Sequence, residues 1–307
     1  SSFLILRLRK AMRKRKIKKE DLESSVKKIL KAKYKVGLAS RQQISTDNLQ
    51  LKLHQAQSEV LQYKLYENAI TLVKNTDNLL PFDIIDTASF ASLSLNDRAP
   101  IFHQTLSKYT NFDAFHTLEN NDRSSLLDQL KKYKVIVVGV FGMTNSPQEN
   151  YGLKKENLQL LETLSLHSKV IINLFGNPYA LSAFDEFDQV LCAYENNDFT
   201  QSLIPQALFG ANAILGRLPI SISDSFQEGT GIALENHDRL GESVPEMVGM
   251  DRITLNEIDV IAREAIESMA TPGCQVLVAR NGQVVFDRSY GYHSYDSIQQ
   301  VTSESIY

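Results

Sequence analysis

The stretch KVIVVGVFG, residues 134–142, decides the fold of this sequence. Its unbroken run of β-branched and apolar residues is typical of a strand that is buried on both faces of a sheet. Residues 154–168 (KKENLQLLETLSLHS) then place leucines along one side of a helix. The same unit recurs at residues 169–184 (KVIINLFGNPYALSAF) and 189–210 (QVLCAYENNDFTQSLIPQALFG). This alternation predicts an α/β fold, with a mostly parallel sheet covered by helices on both faces.

Further strands flank this repeating part of the chain. They are predicted at residues 70–75 (ITLVKN) and 89–95, and LPISIS, residues 218–223, is expected to close the series. Pro178 has a favoured position in the first turn of one helix. Asp198 is the expected N-terminal cap of the helix that follows QVLCAYEN.

The N-terminal part of the chain is helical and basic. Residues 3–17 form one apolar-then-basic helix, and a second helix carries Leu22, Val26 and Ile29 on one face and is closed by Gly37. Neither helix can bury its apolar stripe alone, so both need a neighbour. The polar helices that follow, with Ser45 or Thr46 as a cap, are expected to connect them to the sheet.

The basic charge is confined to the start of the chain. Residues 1–40 hold 14 Lys/Arg and 3 Asp/Glu, a balance of +11, whereas the other residues hold 19 and 33, a balance of −14. Only Phe3 and Tyr34 in this segment are aromatic, so stacking on bases is poorly supported. We therefore expect helices that pack on a neighbouring domain and no nucleic-acid partner, although a non-catalytic binding module that docks on an acidic partner remains an alternative.

The C-terminal part predicts a helix at residues 254–268 and a β-hairpin. Asn281-Gly282 lies between two apolar runs, and this dipeptide is the strongest short signal for a hairpin turn. A hairpin and one helix do not form a stable domain by themselves. The chain accordingly divides into terminal helices (1–40), a helical connector (41–69), an α/β domain (70–225), a linker (226–245) and the start of a further domain (246–307).

The composition excludes several classes of protein. The 307 residues include 43% hydrophobic residues and carry a net charge of −3, which argues against disorder, collagen and a disulfide scaffold. No 18-residue apolar run is present for a membrane span, and the N-terminus has its charges after its apolar stretch, the reverse of a secretory signal. Because the chain begins with Ser, we expect an internal piece of a longer protein. Cys192 and Cys274 lie in apolar runs and are expected to be buried free thiols, which leaves the compartment open.

Motifs for cofactors and metals are missing from the sequence. No strand is followed by G-x-G-x-x-G, and neither G-x-x-x-x-G-K-[ST] nor G-x-S-x-G occurs. The six histidines have no H-E-x-x-H or C-x-x-C context. We expect surface or core roles for all of them, and neither a cofactor nor a metal site: His54, His103, His116, His167, His237 and His293.

Two serine–lysine pairs fit S-x-x-K, the spacing of a serine nucleophile and its lysine base. They are Ser24 with Lys27 and Ser25 with Lys28, while Tyr66-Glu67-Asn68 and Tyr194-Glu195-Asn196 fit the Tyr-x-Asn pattern of penicillin-recognising enzymes. Both serines lie in a charged run of an amphipathic helix, which favours a solvated face over a cleft. A serine hydrolase that uses Ser24 and Lys27 remains the alternative enzyme.

Paired carboxylates for glycoside hydrolysis cannot be chosen by spacing. Asp185, Glu186 and Asp188 are close in sequence, but adjacent positions on a helix point apart, so a charged helix end is favoured. No catalytic residue is assigned.

Several motifs resemble the C-terminal region of family 3 glycoside hydrolases. YENAITLVKNTDNLLPF, KVIINLFGNPYAL, VLCAYENND and QALFGANAILGRLPISI match that family in order and spacing, and EDLESSVKKILKAKYKVGL resembles the last helices of its barrel. The resemblance covers about residues 1–225. It implies the α/β sandwich of that family and a barrel domain as the partner within the same protein.

The rest of the chain resembles the opening of class C β-lactamase-like and penicillin-binding domains. The matching run is VPEMVGMDRITLNEIDVIAREAIESMATPGCQVLVARNGQVVFDRSYGYHSYD, with a first helix, Pro-Gly and the first hairpin. The S-x-x-K serine of that family follows this part, and residues 244–307 contain no such motif.

The resemblance implies a β-N-acetylhexosaminidase acting on cell-wall amino sugars with retention of configuration. In that branch of the family the nucleophilic Asp and an Asp-His acid/base pair lie in the barrel near Lys-His-Phe-Pro-Gly-His, which is missing here. The 307 residues are therefore expected to be inactive alone. Export to the periplasm or cell surface is also expected from the resemblance.

Overall fold

A six-stranded sheet forms the centre of the larger of two structural units, residues 55–307, while residues 1–54 form the other. This computed structural model describes residues 2–40, 45–53, 55–83, 88–118, 122–237 and 239–305. In that part of the chain no helix is long and apolar enough to cross a membrane.

The sheet has the order β1-β6-β5-β4-β2-β3. Only β1 runs antiparallel, against β6 at one edge, and the other neighbours pair in parallel. The prediction of a mostly parallel sheet is therefore confirmed. The strands are β1 (Thr71–Asn75), β2 (Phe90–Leu95), β3 (Phe112–His116), β4 (Val135–Val140), β5 (Lys169–Leu174) and β6 (Gln189–Cys192).

Helices cover both faces of the sheet, as the sequence predicts. Alternate residues of β4 enter two separate apolar cores, with Ile136 and Val138 in one and Val135 and Val137 in the other. The first core includes buried leucines of α6 and α7, and the second includes side chains of α4, α5 and α8. The helices are α1 (Ser2–Arg13), α2 (Lys19–Lys35), α3 (Leu49–Leu53), α4 (Ala56–Ala69), α5 (Pro100–Ser107), α6 (Arg123–Leu130), α7 (Lys155–Ser165), α8 (Asp198–Leu208) and α9 (Arg252–Glu267).

Three local predictions are wrong. Helix α8 is capped by Asn197, whose side chain accepts from the Thr200 amide, and Asp198 is its first residue. Residues 218–223 form no strand, because the amides of Leu218 and Ile222 donate to carbonyls of nearby loop residues. Neither Ser45 nor Thr46 directly precedes α3, since that helix begins at Leu49.

One further helix differs in type from the prediction. The segment Pro178–Phe184 is a 3₁₀ helix, with Pro178 in its first turn as expected and Asn177 as its cap. The tighter winding places Ala180, Leu181 and Phe184 in the first apolar core.

In the smaller unit, α1 and α2 carry exposed apolar side chains. In α1, Phe3 and Leu4 are 64% and 66% exposed, and Ile29 in α2 is 57% exposed. No described residue of α2 is buried. Gly37, with φ 78°, follows the C-terminal cap of α2, as predicted.

The C-terminal part is a three-stranded sheet packed on α9. Strands β8 (Gly273–Arg280) and β9 (Gln283–Gly291) form the predicted hairpin, and both turn residues, Asn281 and Gly282, have positive φ. A short strand, β7 (Gly241–Glu242), pairs in parallel with β9. The sequence alone does not show this third strand.

Hydrogen bonds tie β7 to the α/β sandwich. The Tyr63 hydroxyl donates to the Glu242 carbonyl at 2.7 Å, and the Tyr109 hydroxyl donates to the Leu240 carbonyl at 3.0 Å. Lys108 also pairs with the Glu242 carboxylate. The C-terminal sheet is thus attached to the sandwich by side chains from α4 and from the end of α5.

Candidate functional site at the carboxyl edge of the sheet

A cavity of about 660 Å³ lies at the carboxyl ends of β4, β5 and β6. This edge is where open parallel sheets bind their ligands. The loops that follow the three strands supply the walls. The lining residues are Gly142, Met143, Asn145, Phe175, Gly176, Asn177, Pro178, Tyr179, Tyr194, Glu195 and Asn196.

The loops approach one another closely because two glycines lack side chains. Gly142 and Gly176 have φ of 67° and 155°, a region that favours glycine. A Cβ on Gly176 would lie 2.5 Å from the Cβ of Met143. Glycine is therefore required at position 176 for the loops after β4 and β5 to form the cavity wall.

The carboxylate of Glu195 is held by two side chains. The Tyr66 hydroxyl donates to Glu195 Oε2 at 2.6 Å, and Asn197 Nδ2 donates to the same oxygen at 3.4 Å. The bond to Glu195 raises the pKa of Tyr66. The Tyr66 ring also stacks on Phe199, with centroids 6.0 Å apart. These contacts fix one carboxylate oxygen and leave Oε1 without a hydrogen bond from the described residues.

The neighbouring Asn196 is fixed on both sides of its amide. Its Oδ1 accepts from Gln201 Nε2 at 2.8 Å, and its Nδ2 donates to Asp97 Oδ2 at 3.3 Å. The second contact joins the β6 loop to the loop after β2. Two side chains of the Tyr194-Glu195-Asn196 motif are therefore oriented at the cavity.

The opposite wall presents amides and an aromatic ring. Asn177 Nδ2 donates to Asn145 Oδ1 at 3.3 Å and to the Thr144 carbonyl at 3.4 Å, while Asn177 Oδ1 accepts from the Tyr179 amide. The Tyr179 ring stacks on Tyr151 with 6.3 Å between centroids, and Tyr179 is 47% exposed. The site thus combines a carboxylate, oriented amides and a partly exposed tyrosine.

The predicted serine–lysine sites do not form a cleft. Ser24 and Lys27 are both exposed on α2, and the Ser25 hydroxyl donates to the Asp21 carbonyl one turn earlier. Both serine–lysine pairs therefore lie on an exposed part of α2. Tyr66-Glu67-Asn68 lies at the end of α4. The Tyr66 hydroxyl bonds to Glu195, so the two Tyr-x-Asn segments contact each other.

The acidic cluster lies at the other edge of the sheet. Glu186 and Asp188 border a cavity of about 440 Å³ formed with residues that precede β4 and β5. Asp185 ends the 3₁₀ helix, and its carboxylate accepts from the Ser223 hydroxyl at 3.0 Å. Asp185 therefore lies at the helix end, as expected, whereas Glu186 and Asp188 lie in the segment between this helix and β6.

Two histidines are closer to each other than the sequence suggests. His103 is buried in α5, where its Nδ1 lies 2.6 Å from Ser92 Oγ. Burial, and secondarily the charge of His116 at the end of β3, lower the pKa of His103 to about 4. His103 is therefore a core histidine, whereas His116 is half-buried on the edge strand β3.

The other candidate metal ligands are scattered. His167 borders the cavity at the amino edge, His237 lies 3.9 Å from Asp83, and His293 Nε2 lies 2.9 Å from Ser305 Oγ. His54 lies outside the described residues. Within the residues that the structure describes, no three His, Cys, Asp or Glu side chains are grouped to hold a metal ion.

Both cysteines are free thiols. Cys192 is fully buried, and burial raises the pKa of its thiol to about 12. Cys274 is half-buried in β8. The expectation of a buried free thiol is met fully at Cys192 and only partly at Cys274.

Comparison with known proteins finds similar folds among solved structures only. No protein-family model and no curated protein matches the chain. Among solved structures, a β-glucoside phosphorylase BglX is similar over 70% of this chain and 41% of its own length, with 18% identity and a TM-score of 0.54.

Two β-N-acetylglucosaminidases of glycoside hydrolase family 3 are also similar. A fungal multi-domain enzyme matches 88% of this chain and 30% of its own, with 17% identity and a TM-score of 0.50. The enzyme from Paenibacillus sp. str. FPU-7 matches 69% of this chain and 41% of its own, with 16% identity and a TM-score of 0.50. The chain therefore spans less than half the length of these proteins. At such identities the likeness shows the fold, which is that of the C-terminal α/β sandwich of family 3 glycoside hydrolases.

Sequence reasoning does not identify this cavity, although one signal was available. Asn145, Asn177 and Tyr179 all follow predicted buried strands by a few residues, where ligands of parallel sheets bind. Asp97 follows β2 in the same way. The link between Tyr66 and Glu195 joins residues 129 positions apart and has no signal in the sequence.

Proposed function

We propose that this chain is the C-terminal portion of a family 3 glycoside hydrolase of the β-N-acetylhexosaminidase type. The observation that supports it is the sandwich itself, with a mostly parallel sheet and helices on both faces, whose fold is similar to that of solved family 3 enzymes. The motifs at residues 66–82 and 206–222 resemble the same family. The substrate would be a terminal β-linked N-acetylhexosamine of cell-wall amino sugars.

The chain would partner a barrel domain of the same protein. Helices α1 and α2 are then the last helices after that barrel, and residues 41–69 are the connector. The exposed apolar side chains of both helices, such as Leu6 and Leu30, support this assignment, since such stripes are buried in a complete domain.

The catalytic carboxylate would lie in the barrel. In a retaining hydrolase a carboxylate attacks the anomeric carbon while an acid protonates the departing glycosidic oxygen, and water then cleaves the glycosyl–enzyme ester. We assign neither role to a residue of this chain. The sandwich would act as a structural partner of the barrel.

Residues 246–307 would begin a β-lactamase-like domain, joined to the sandwich by the linker 226–245. Helix α9 followed by Pro272-Gly273 and the β8–β9 hairpin supports this proposal. The protein would act at the cell surface or in the periplasm, where its cell-wall substrate is found.

A kinetic assay of the longer protein tests the proposed activity and substrate. The protein extended toward its N-terminus should hydrolyse a chromogenic β-N-acetylglucosaminide faster than the matching β-glucoside. Proton NMR of the early reaction should show the β-anomer of the free sugar, as expected for retention. A preference for the β-glucoside would overturn the amino-sugar assignment, and early α-anomer would overturn the retaining mechanism.

A further inference from the structure

The Asn281-Gly282 turn has features that make an asparagine chemically reactive. It joins β8 to β9, and both of its residues are exposed. It is also the only Asn-Gly pair in the 307-residue sequence. Asparagine is thermally labile, because the backbone nitrogen of the following residue can attack its side-chain amide. Glycine in the following position leaves that nitrogen unshielded, so this reaction is favoured at the turn.

Neither reacting group at the turn is restrained. In the described part of the chain, the Asn281 side chain forms no hydrogen bond, and the Gly282 amide donates none. The turn is closed instead by the pairing of Arg280 with Gln283. Gly282 has a φ of 76°, and no atom beyond its chain neighbours lies within 4 Å of the position that a Cβ would occupy. The Asn281 carboxamide is therefore able to rotate toward the Gly282 nitrogen.

Asn48 shows what the following residue contributes. Its φ of 55° is close to the 53° of Asn281, and both residues are exposed. The next residue is Leu49, however, whose side chain shields its own backbone nitrogen. The Leu49 amide also donates to the Thr46 carbonyl at 3.1 Å. The two asparagines thus share conformation and exposure and differ in the nitrogen that would attack.

We propose that Asn281 is a site of spontaneous deamidation that lengthens the main chain at the hairpin turn. The Gly282 nitrogen bonds to Asn281 Cγ, the Cγ–Nδ2 bond breaks, and Nδ2 leaves as ammonia with the proton of the Gly282 amide. Water then opens the resulting five-membered imide. Cleavage between Cγ and the nitrogen gives aspartate, whereas cleavage between the main-chain carbonyl carbon and the nitrogen gives isoaspartate.

The isoaspartate product should release the start of β7. Its Cβ becomes part of the main chain, which adds a carbon to a two-residue turn whose twist has to match the flanking strands. In the unmodified turn, the Gly282 carbonyl accepts from the Gly241 amide at 2.9 Å, and Gly241 also pairs with Gln283. A displaced Gly282 therefore loses this bond, and β7 is the strand that attaches the C-terminal sheet to the sandwich.

Incubation of the purified 307-residue chain, followed by site-resolved peptide mass spectrometry, tests this site without any ligand or activity. We expect a mass increase at Asn281 that equals the replacement of an amide group by a hydroxyl group, and no increase at Asn48 over the same period. The reaction should be faster in mildly alkaline than in mildly acidic buffer, because the Gly282 nitrogen attacks after losing its proton. Absence of the mass increase at Asn281 in the folded chain, or an equal increase at Asn48, would overturn the site.

Two matched variants locate the reaction. Asn281→Asp keeps a residue that this type of turn accepts but has no side-chain amide to lose, so the peptide that contains position 281 should keep its mass. Asn48→Asp should still react at Asn281 at the parent's rate. Melting temperatures equal to the parent's would show that both variants are folded. A slower reaction at Asn281 in Asn48→Asp would contradict the assignment to the local turn.

Hydrogen exchange tests the structural consequence of deamidation. The deamidated fraction, enriched by anion exchange through its added carboxylate, should lose protection at the Gly241 amide, while β4 amides stay protected. Freshly purified Asn281→Asp gains the same charge without a longer main chain and should keep the parent's exchange. Unchanged exchange at Gly241 in the deamidated fraction would overturn this consequence. Equally fast exchange in Asn281→Asp would assign the effect to charge and overturn the lengthened turn as its cause.

Discussion

At the scale of single residues, the buried imidazole of His103 has the clearest consequence for stability. It lies in α5 with Nδ1 bonded to Ser92, and its Nε2 is buried without a hydrogen-bond partner in the described part of the chain. Because burial lowers the pKa of His103 to about 4, the native protein keeps this ring neutral at pH values where an unfolded histidine is already protonated.

The pH dependence of unfolding should report this residue. The stability that neutral His103 provides is complete above the unfolded pKa of about 6.5 and decreases as the pH falls toward the folded pKa, by about 2 kcal/mol at pH 5. In urea titrations at pH 7.5 and pH 5, the variant His103→Gln should therefore lose less stability than the parent. Variant His167→Gln, which changes an exposed ring, should keep the parent's pH dependence; equal dependence in all three proteins would contradict this explanation.

At the scale of elements, Asn197 rather than Asp198 should control the start of α8. The Asn197 side chain accepts from the Thr200 amide at 3.0 Å, and the Thr200 hydroxyl accepts from the Asn197 amide at 3.2 Å. Losing such a capping box costs about 1 kcal/mol. Asp198, the first residue of α8, has a favourable interaction with the helix dipole, which contributes about 0.5 kcal/mol.

Urea unfolding at neutral pH distinguishes the two residues. Asn197→Ala should lower the free energy of unfolding about twice as much as Asp198→Ala. A larger loss of unfolding free energy in Asp198→Ala would show that Asp198 is the cap, as the sequence predicts.

The elements that the sequence predicts well are those with their own apolar pattern. Strands β2, β4, β5 and β6 are runs of buried residues, and the hairpin turn at Asn281-Gly282 carries its own backbone signal. Strand β3 was not predicted, because its residues FDAFH are half-exposed at the edge of the sheet. LPISIS has the alternation of a strand, but Leu218 bonds to Thr230 instead of to a neighbouring strand.

The candidate site depends on contacts that no local pattern contains. The sequence shows the Tyr-Glu-Asn motif, whereas the environment of these residues comes from α4, the β2 loop and α8. The two-residue strand β7 also has no local pattern, since its pairing with β9 identifies it.

At the scale of the whole molecule, the attachment of β7 links the C-terminal sheet to the sandwich. Tyr63 donates to Glu242, and Glu59 of the same helix pairs with Arg252 at the start of α9. Burial is the main reason why the pKa values of Tyr63 and Tyr109 are raised. Both hydroxyls are therefore protonated at neutral pH and can donate hydrogen bonds.

Removal of these two hydroxyls should loosen β7. The double variant Tyr63→Phe/Tyr109→Phe leaves two carbonyls without their donors and should lose about 2 kcal/mol locally. Hydrogen exchange of the Glu242 and Ser243 amides should then be faster, while β4 amides stay protected. Unchanged exchange would show that side-chain packing alone holds β7.

We propose that the sandwich belongs to a glycoside hydrolase whose catalytic carboxylate lies in a barrel domain. The most direct measurement is turnover of a chromogenic β-N-acetylglucosaminide by two proteins at equal concentration, the 307-residue chain and the protein extended through its N-terminal domain. We predict hydrolysis by the extended protein and none by the 307-residue chain. Turnover by the 307 residues alone would contradict the account, as would an extended protein that is folded and inactive on every β-glycoside tested.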